Sequence, residues 1–574
     1  MQQLLVRNRR VNTSDKMSNN SAEKGRQGSA SKLTKTSIMF TPHYRTITES
    51  GKSHFSRVSD ALAEFIDNSM EACKINKNNE WKIGIHFDIS TELDYGYCVI
   101  SDNGGGMTFE KLRQFAVYSL DQNTKKLTSL SQEEGNFISM YGVGAKEAGF
   151  YLGQRLRVVT RAVNSNQIME LTLDKEIFEE KFQRNENVFE SDIITRGIGG
   201  DCVTINMSSD EKKVFTSSDI MSGILNAIEE EYEHFTYIVI KLSRNIIESI
   251  IDTNRTTDDG IILYKYHDIA DDLGDIYHFH LHPDHTPNNI LQKIEFKPQI
   301  NGGELPAPFN NCEALQKLSR GMYKYNKGSN EPTSSTGNLN IFYSCLFNGL
   351  IAYPMISLRE LKTYGTCQFI EKAKAPFRFN IEVPDPMYYS TKAAIGNVRN
   401  TQSLNVEEVK KITIEGILFY YPYGKGGDSE DDKETRPALS HDKRISLFNI
   451  LWMNRLVPES YVDELPFFSS IKQYTALQLP TKFIPINWKA RIKGYLFFDR
   501  DFPITNNKLR IQVDPDINLW LNSYRRDQFS YKPTKIQSLF ESWVVTCHKS
   551  FDSEYYLEGR YLGTPINHTA LPIK

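Results

Sequence analysis

A carboxylate and an amide lie four residues apart in the segment "ALAEFIDNSMEA", residues 61–72. Residues at this spacing share one face of a helix, so Glu64 and Asn68 would lie one above the other. The same segment carries an apolar stripe that includes Leu62 and Phe65, which is typical of a helix packed in a core. A carboxylate beside an amide oxygen on such a helix provides groups that can accept a proton or bind a cation.

A glycine-rich loop, "SDNGGGM" at residues 101–107, follows a segment with strand character. Asp102 would stand at the end of that strand, and the glycines after it would let a ligand approach the backbone closely. A tight turn closed by a hydrogen bond to the Asp102 side chain explains the same residues equally simply.

A second glycine loop, "MYGVGAKEAG" at residues 140–149, opens a predicted helix. Gly142 and Gly144 would allow backbone N–H groups to face an anion at the helix N-terminus, and Lys146 adds a full positive charge. Taken alone, this motif is weak evidence for anion binding, because small residues often precede helices. The polar segment from Ser119 to Met140, between the two loops, predicts a mobile lid.

The order of these three motifs resembles the GHKL ATPases, which include type II topoisomerases, MutL, the large heat-shock chaperones, histidine kinases and MORC proteins. The runs "ISDNGGGM", "YGVGAKEAGFYLGQ" and "LTLDKEIFEEK" are especially similar to MORC-related chromatin-silencing ATPases that carry an SMC-type hinge domain. This resemblance implies that Asn68 coordinates Mg²⁺ and that Glu64 is the base that orients the attacking water. It thereby explains why an apolar helix carries both groups.

The resemblance also implies a role for each loop in binding ATP. Asp102 would accept a hydrogen bond from the adenine amino group, which favours ATP over GTP. Thr236 matches a threonine beside the adenine, although strand threonines without such a role are common. The positions expected to bind nucleotide or Mg²⁺ are Asn68, Asp102, Gly104, Gly106, Met107, Gly142, Val143, Gly144, Ala145, Lys146 and Thr236.

Lys508, in "TNNKLRI", is the candidate functional residue of the C-terminal half. Related ATPases insert a lysine from a transducer domain into the nucleotide site, where it stabilises charge on the γ-phosphate. The resemblance implies this role for Lys508, as a second catalytic residue beside Glu64. An exposed loop lysine is the alternative.

The expected fold class is α+β: a Bergerat-type (GHKL) ATP-binding α/β sandwich followed by a β-rich transducer region similar to ribosomal protein S5. We expect a disordered basic tail over residues 1–40 and the ATP-binding domain over 41–250. A β-rich linker or first transducer part would cover 251–440, with a charged loop at 424–437, and an S5-like part would cover 441–574. Segments such as "IYHFHLH", "LNIFYSC" and "GILFYYP" predict strands.

Composition narrows the function classes. A net charge of −3 argues against a large, uniformly basic nucleic-acid surface, although a local basic patch is compatible with it. Seven scattered cysteines without a CxxC motif favour a reducing, intracellular compartment. The apolar runs are too short for a membrane span, and the N-terminus does not resemble a secretory signal.

His278, His280 and His282 would share one strand face, where three imidazoles could bind zinc, but a polar edge strand is the simpler interpretation.

The resemblance implies a slow, Mg²⁺-dependent ATPase that forms an ATP-dependent homodimer and acts on chromatin or DNA in the nucleus. Three alternatives remain open: a nucleotide-regulated binding module with negligible turnover, a MutL-like repair ATPase, and a chaperone. A histidine kinase would need a phospho-accepting helix pair before the ATP domain, and we expect the short tail to leave no room for one.

Overall fold

A computed structural model was used to describe the architecture of the chain. It describes residues 43–90, 95–117, 144–198, 207–217, 219–256, 262–287, 299–300, 303–304, 338–361, 365–372, 374–384, 411–421, 447–462, 492–500, 502–512, 525–527, 530–532, 543–544 and 547. The tail, the predicted lid and the charged loop at 424–437 therefore lie outside the described residues. None of the described helices combines the length and the apolar character that crossing a bilayer requires.

Among the described residues, helices and strands alternate up to residue 372, and strands follow. The helices are α1 Arg45–His54, α2 Val58–Ile75, α3 Phe109–Ala116, α4 Gly144–Leu152, α5 Lys175–Gln183, α6 Ser209–Ser217, α7 Asp219–Glu231, α8 Arg244–Ile251, α9 Lys265–Ile276, α10 His278–Leu281 and α11 Gly365–Lys372. The strands are β1 Glu80–Ser90, β2 Tyr95–Asp102, β3 Gly153–Arg161, β4 Gln167–Asp174, β5 Ile193–Gly197, β6 Phe235–Leu242, β7 Thr253–Thr256, β8 Ile262–Tyr264, β9 Gln299–Ile300, β10 Gly303–Glu304, β11 Asn338–Phe347, β12 Leu350–Ser357, β13 Lys374–Pro384, β14 Lys411–Tyr420, β15 Phe448–Trp452, β16 Arg455–Val462, β17 Ile492–Phe498, β18 Arg525–Asp527 and β19 Ser530–Lys532.

The larger sheet has eight strands in the order β12-β11-β1-β2-β6-β3-β4-β5. Its central strands are buried on both faces, which explains their long apolar runs. In β2, Cys98 and Ile100 face the core that contains α2, whereas Tyr97 and Val99 face a second core built with α6 and α7. Because both faces of β2 are packed against other elements, its C-terminal end, where Asp102 lies, is held in place.

The smaller sheet has five strands in the order β13-β14-β17-β15-β16, with β15 and β17 parallel. The turn between β15 and β16 carries Met453 and Asn454, both with positive φ. An isolated bridge joins Ile504 to Ile511 and closes the loop that presents Lys508. The fold is thus α+β, as the sequence predicts.

In chain order, the larger sheet ends with β12 and the smaller sheet begins with β13. Strands β11 and β12 join the larger sheet through parallel pairing of β11 with β1, so this sheet extends beyond residue 250. The smaller sheet begins at β13, well before residue 441. The predicted strand "IYHFHLH" is wrong, because its histidines lie on the short helix α10 and at the residue after it.

Candidate ATP-binding site

The centre of the candidate site is the pairing of Lys508 with two carboxylates of α2. The Lys508 ammonium donates to Glu64 Oε2 and to Asp67 Oδ2, both at 2.8 Å. All three side chains are buried, with Lys508 only 2% exposed. The long apolar stripe of α2 explains this burial, because it holds the helix in the core and takes Glu64 and Asp67 with it. A residue far along the chain therefore lies beside the predicted base.

Arg455 and Tyr277 complete this buried charge network. The Arg455 guanidinium lies 3.2 Å from Asp67 and donates to the Lys508 carbonyl at 3.0 Å, while the Tyr277 hydroxyl donates to Asp67 Oδ1 at 2.7 Å. Burial by itself raises the pKa of Asp67, but the positive charges of Arg455 and Lys508 outweigh it and hold that pKa below its usual value. Two cations thus neutralise Glu64 and Asp67, and the network is close to electroneutral.

Glu64 keeps one oxygen available. Oε2 accepts from Lys508, whereas Oε1 is buried and has no hydrogen-bond partner among the described residues. Leaving a buried acceptor unsatisfied is costly, so a donor such as a water fits there. The first residue of α4, Gly144, approaches Glu64 so closely that a Cβ on it would lie 2.2 Å from Oε2.

The Asp102 carboxyl, at the end of β2, is held by three nearby donors. Oδ2 accepts from the Ser69 hydroxyl and Oδ1 from the Gly104 amide, both at 2.9 Å, and the Thr236 backbone also contributes. Burial raises the pKa of Asp102 to about 7 despite these hydrogen bonds. An acceptor of this kind, fixed at a strand end, matches the chemistry of an adenine amino group.

Thr236 lies beside Asp102 because β2 and β6 pair at these two residues. Its hydroxyl is 3.1 Å from that of Thr160, and the Met107 amide donates to the same Thr160 oxygen at 2.8 Å. Gly106 has φ +61°, and a Cβ there would lie 1.9 Å from the Arg161 carbonyl oxygen. The loop is therefore folded against β3, and glycine is required at residue 106.

Lys146 has a different partner from the predicted phosphate. Its ammonium donates to the Phe115 carbonyl at the end of α3, at 2.5 Å, and lies 4.9 Å from the centre of the Phe115 ring. Ala145 is buried in the same first turn of α4. Gly142 and Val143, with the predicted lid, lie outside the described residues. Phosphate binding by Lys146 stays a prediction.

Asn68 is half-buried on α2, one turn after Glu64, as the spacing predicts. Sequence reasoning missed Asp67, Arg455, Tyr277 and Thr160 as members of the site. Asp67 carried a signal, since an acid three residues after Glu64 lies on a neighbouring part of the same helix. Arg455, Tyr277 and Thr160 carried no signal in the sequence, because only tertiary contacts bring them to the site.

The three histidines singled out by the sequence do not act as one group. His280 is held by the Met453 carbonyl, 3.0 Å from its Nε2, whereas His278 is in contact with His285 and lies near His282. The common face expected of a strand is absent because α10 is helical, which places residues four apart together instead.

Comparison with known proteins supports the class that this site suggests. Residues 55–195 match the family described as "Histidine kinase-, DNA gyrase B-, and HSP90-like ATPase". Residues 365–550 match the domain described as "SMCHD1, ribosomal S5 domain 2-like domain". These two matches correspond to the GHKL ATPase region and the S5-like region that the sequence predicts, and the resemblance seen in the sequence is confirmed.

Two curated relatives match nearly the whole chain. The mouse and human proteins named "Structural maintenance of chromosomes flexible hinge domain-containing protein 1" are each 24% identical to it, over 561 and 564 residues. The matched region is 91% of this chain but only 23% of each relative. The chain therefore spans about a quarter of the length of these relatives.

Proposed function

We propose that this chain binds ATP with Mg²⁺ and hydrolyses it slowly at the α2 face. The observation that carries the proposal is the buried Glu64 carboxylate, with one oxygen paired to Lys508 and the other without a partner among the described residues. The match of residues 55–195 to the ATPase family supports ATPase activity at the level of the family. The catalytic residues are Glu64 and Lys508.

The residues fit the proposed ligands. Asn68 would hold Mg²⁺ through its amide oxygen, and the ion would neutralise charge on the phosphates. Asp102 would accept from the adenine amino group, with Gly104, Gly106 and Met107 at the edge of the base. The first turn of α4 would bind the phosphates through its amides.

Glu64 would accept a proton from the attacking water through Oε1. Lys508 would exchange its carboxylate partners for the γ-phosphate, so that a charge held by the smaller sheet moves toward the nucleotide when ATP binds. This exchange connects the state of the nucleotide to the packing of the second domain. We further propose that two chains form a dimer that closes on ATP and reopens after hydrolysis.

The proposed setting is chromatin in the nucleus, with gene silencing as the process. The support is the likeness to relatives whose name refers to the structural maintenance of chromosomes. A second candidate is a nucleotide-regulated binding module with negligible turnover. The observation that favours it is that Lys508 already occupies one oxygen of the proposed base.

One experiment separates these candidates. ATP turnover and Mg-ATP binding are measured on the full chain and on Glu64→Ala and Asn68→Ala. Glu64→Ala should bind Mg-ATP and lose turnover, whereas Asn68→Ala should lose Mg²⁺-dependent binding. Equal thermal stabilisation of Asn68→Ala and wild type by Mg-ATP would contradict the site. Binding without turnover in the wild type would favour the binding module.

A further inference from the structure

A second cluster of side chains lies away from the ATP site, between α10 and α11. His278 and His282 are four residues apart, and their rings are 4.9 Å apart. Cys367 of α11 joins them, and one ligand atom from each of the three residues lies within 4.8 Å of the others. His285, in the following 3₁₀ turn, approaches His278 with its Nδ1 2.9 Å from His278 Nε2.

We propose that His278, His282 and Cys367 bind one zinc ion, supported by His285. Zinc takes imidazole nitrogen and thiolate sulfur in a tetrahedral arrangement, in which neighbouring donor atoms are roughly 3.3 to 3.8 Å apart. The donor atoms here lie within 4.8 Å of one another and need to close by up to about 1.5 Å, a shift that side-chain rotations provide. The donor set holds no carboxylate, which disfavours Mg²⁺ and Ca²⁺.

The surrounding structure holds these donors in place. The backbone amide of Thr366, next to Cys367, donates to the Asp275 carboxylate at 2.7 Å, which fixes the start of α11 against α9. Cys367 is 1% exposed and His278 is fully buried. His282 is half-buried, which leaves a route for an ion to enter. The cluster therefore has the rigid frame that metal sites need.

The position of the cluster suggests what the ion does. The histidines follow α9, which packs on α2, whereas Cys367 lies at the start of the region that matches the S5-like domain. The ion would tie the two regions together at a point separate from Lys508. Its role would be structural, since it would link two regions of the chain, with a water completing the tetrahedron around the three protein ligands.

The test uses the full chain without a histidine tag. The protein is treated with a chelator, desalted, titrated with Zn²⁺ and analysed for bound metal, while a thermal melt follows its stability. We expect one zinc per chain and a higher Tm on zinc addition. Cys367→Ser and His282→Asn should weaken zinc binding at least tenfold, and His285→Asn should weaken it about 10- to 100-fold through lost support of His278.

The absorption spectrum of bound Co²⁺ distinguishes a role of Cys367 as a metal ligand from a purely structural role. Co²⁺ in the same site should show a thiolate-to-cobalt absorption band that is absent in Cys367→Ser. Cys547→Ser, at another buried cysteine, and His280→Asn, on the same helix, are matched controls that should keep both the zinc and the band.

Wild-type protein that retains no zinc after desalting, or a Cys367→Ser variant with unchanged zinc affinity and cobalt spectrum, would overturn the proposal. The wild-type titration decides the question even if a variant fails to fold. ATP binding measured on the same samples separates this inference from the proposed function, because zinc binding does not require the nucleotide site.

Discussion

At the scale of single residues, the Lys508 charge network sets the strongest constraint. Lys508 and Arg455 face Glu64 and Asp67 in a buried environment, and removing one member leaves an uncompensated charge. Sequence order gives no hint of this coupling, because 441 residues separate Asp67 from Lys508. The network therefore contributes both to the stability of the fold and to the proposed chemistry.

We predict that Lys508→Met lowers the free energy of unfolding by roughly 3 to 5 kcal/mol, the range for breaking a buried ion pair. Glu64→Gln in the same chain should recover part of that loss, since it removes the carboxylate that Lys508→Met leaves unpaired, whereas Asp67 keeps Arg455 and Tyr277. Urea unfolding of the two single variants and the double variant measures the coupling, expected between about 0.5 and 3 kcal/mol. Arg184→Met, which breaks an exposed pair with Glu180, is the control and should cost under about 1 kcal/mol. Additive effects of Lys508→Met and Glu64→Gln would refute the coupling.

Asp102 gives a prediction about pH. Its pKa in the folded chain is about 7, above the value of roughly 3.9 expected in the unfolded chain. Folded protein therefore holds this proton more tightly, so the contribution to stability is full below about pH 4 and is lost as pH rises to 7. Asp102→Asn does not titrate, so its stability relative to wild type should rise with pH over this range, by up to about 4 kcal/mol.

Thermal melts from pH 4 to 8 on wild type and Asp102→Asn measure this difference. Ser69→Ala is a useful companion, because it removes a donor to Asp102 Oδ2 and should move the wild-type transition to higher pH. A difference between wild type and Asp102→Asn that stays constant with pH would mean that the Asp102 pKa is ordinary.

The residues themselves show how far the sequence could predict the site. Glu64, Asn68 and Asp102 were predicted because local spacing and a strand-to-glycine-loop pattern mark them. Thr160 was not predicted, because its signal is its position on β3 opposite Thr236 of β6, and pairing between distant strands leaves no local pattern. Lys508 was predicted through resemblance alone, since its left-handed backbone and burial have no signature in "TNNKLRI".

At the scale of elements, two glycines position the loops around α2 in different ways. A Cβ at Gly106 would meet backbone, whereas a Cβ at Gly144 would meet the flexible end of Glu64. The first contact cannot relax without moving β3. The second can relax by turning one side chain.

We predict that Gly106→Ala costs more than about 2 kcal/mol of stability, because it combines a left-handed backbone with a backbone clash. Gly144→Ala should cost less stability than Gly106→Ala, because only the end of the Glu64 side chain has to move, but it should lower ATP turnover on the order of 10²-fold, since it displaces Glu64 from Lys508. Gly197→Ala, where a Cβ meets nothing within 4 Å, is the control for both. Turnover assays and thermal melts decide, and normal turnover in Gly144→Ala would show that the position of Glu64 is not critical.

The errors at this scale have physical causes. Alternation in "HFHLH" suggested a strand, but the same letters also place His278 and His282 four apart, and docking of Phe279 against Tyr495 and Phe497 favours the helix. The larger sheet also extends past residue 250, because β11 pairs with β1 across more than 250 residues. Parallel pairing of this kind needs a long connection and cannot be read from either strand.

At the scale of the whole molecule, the loop that carries Lys508 joins the smaller sheet to the first two helices. Asn507 donates to the His54 carbonyl at the end of α1 at 2.9 Å, and Arg455 of β16 supports the Lys508 carbonyl. The second domain is therefore in direct contact with the proposed site of hydrolysis. A change of partner at Lys508 would therefore alter the contacts of the smaller sheet.

We predict that ATP binding, rather than hydrolysis, drives association of two chains. Glu64→Ala removes the proposed base and leaves Asp67 facing both Lys508 and Arg455. The surplus positive charge is then available to the phosphates of ATP, so the variant should bind Mg-ATP and accumulate as a dimer. Light scattering on gel-filtered protein should show this dimer with Mg-ATP and a monomer with Mg-ADP, since ADP offers no γ-phosphate to Lys508. Lys508→Ala should lower turnover about 10²-fold while ADP affinity stays nearly unchanged.

Asn68→Ala is the control for this association, because it should remain monomeric at any ATP concentration once Mg²⁺-dependent binding is lost. Hydrogen exchange at residues 119–140 should slow with a non-hydrolysable ATP analogue if the segment closes over the nucleotide. A Glu64→Ala chain that binds Mg-ATP by calorimetry yet stays monomeric would separate nucleotide binding from association. The movement of Lys508 between carboxylates and phosphate would then act within one chain, as a switch between the two domains rather than a signal for dimerisation.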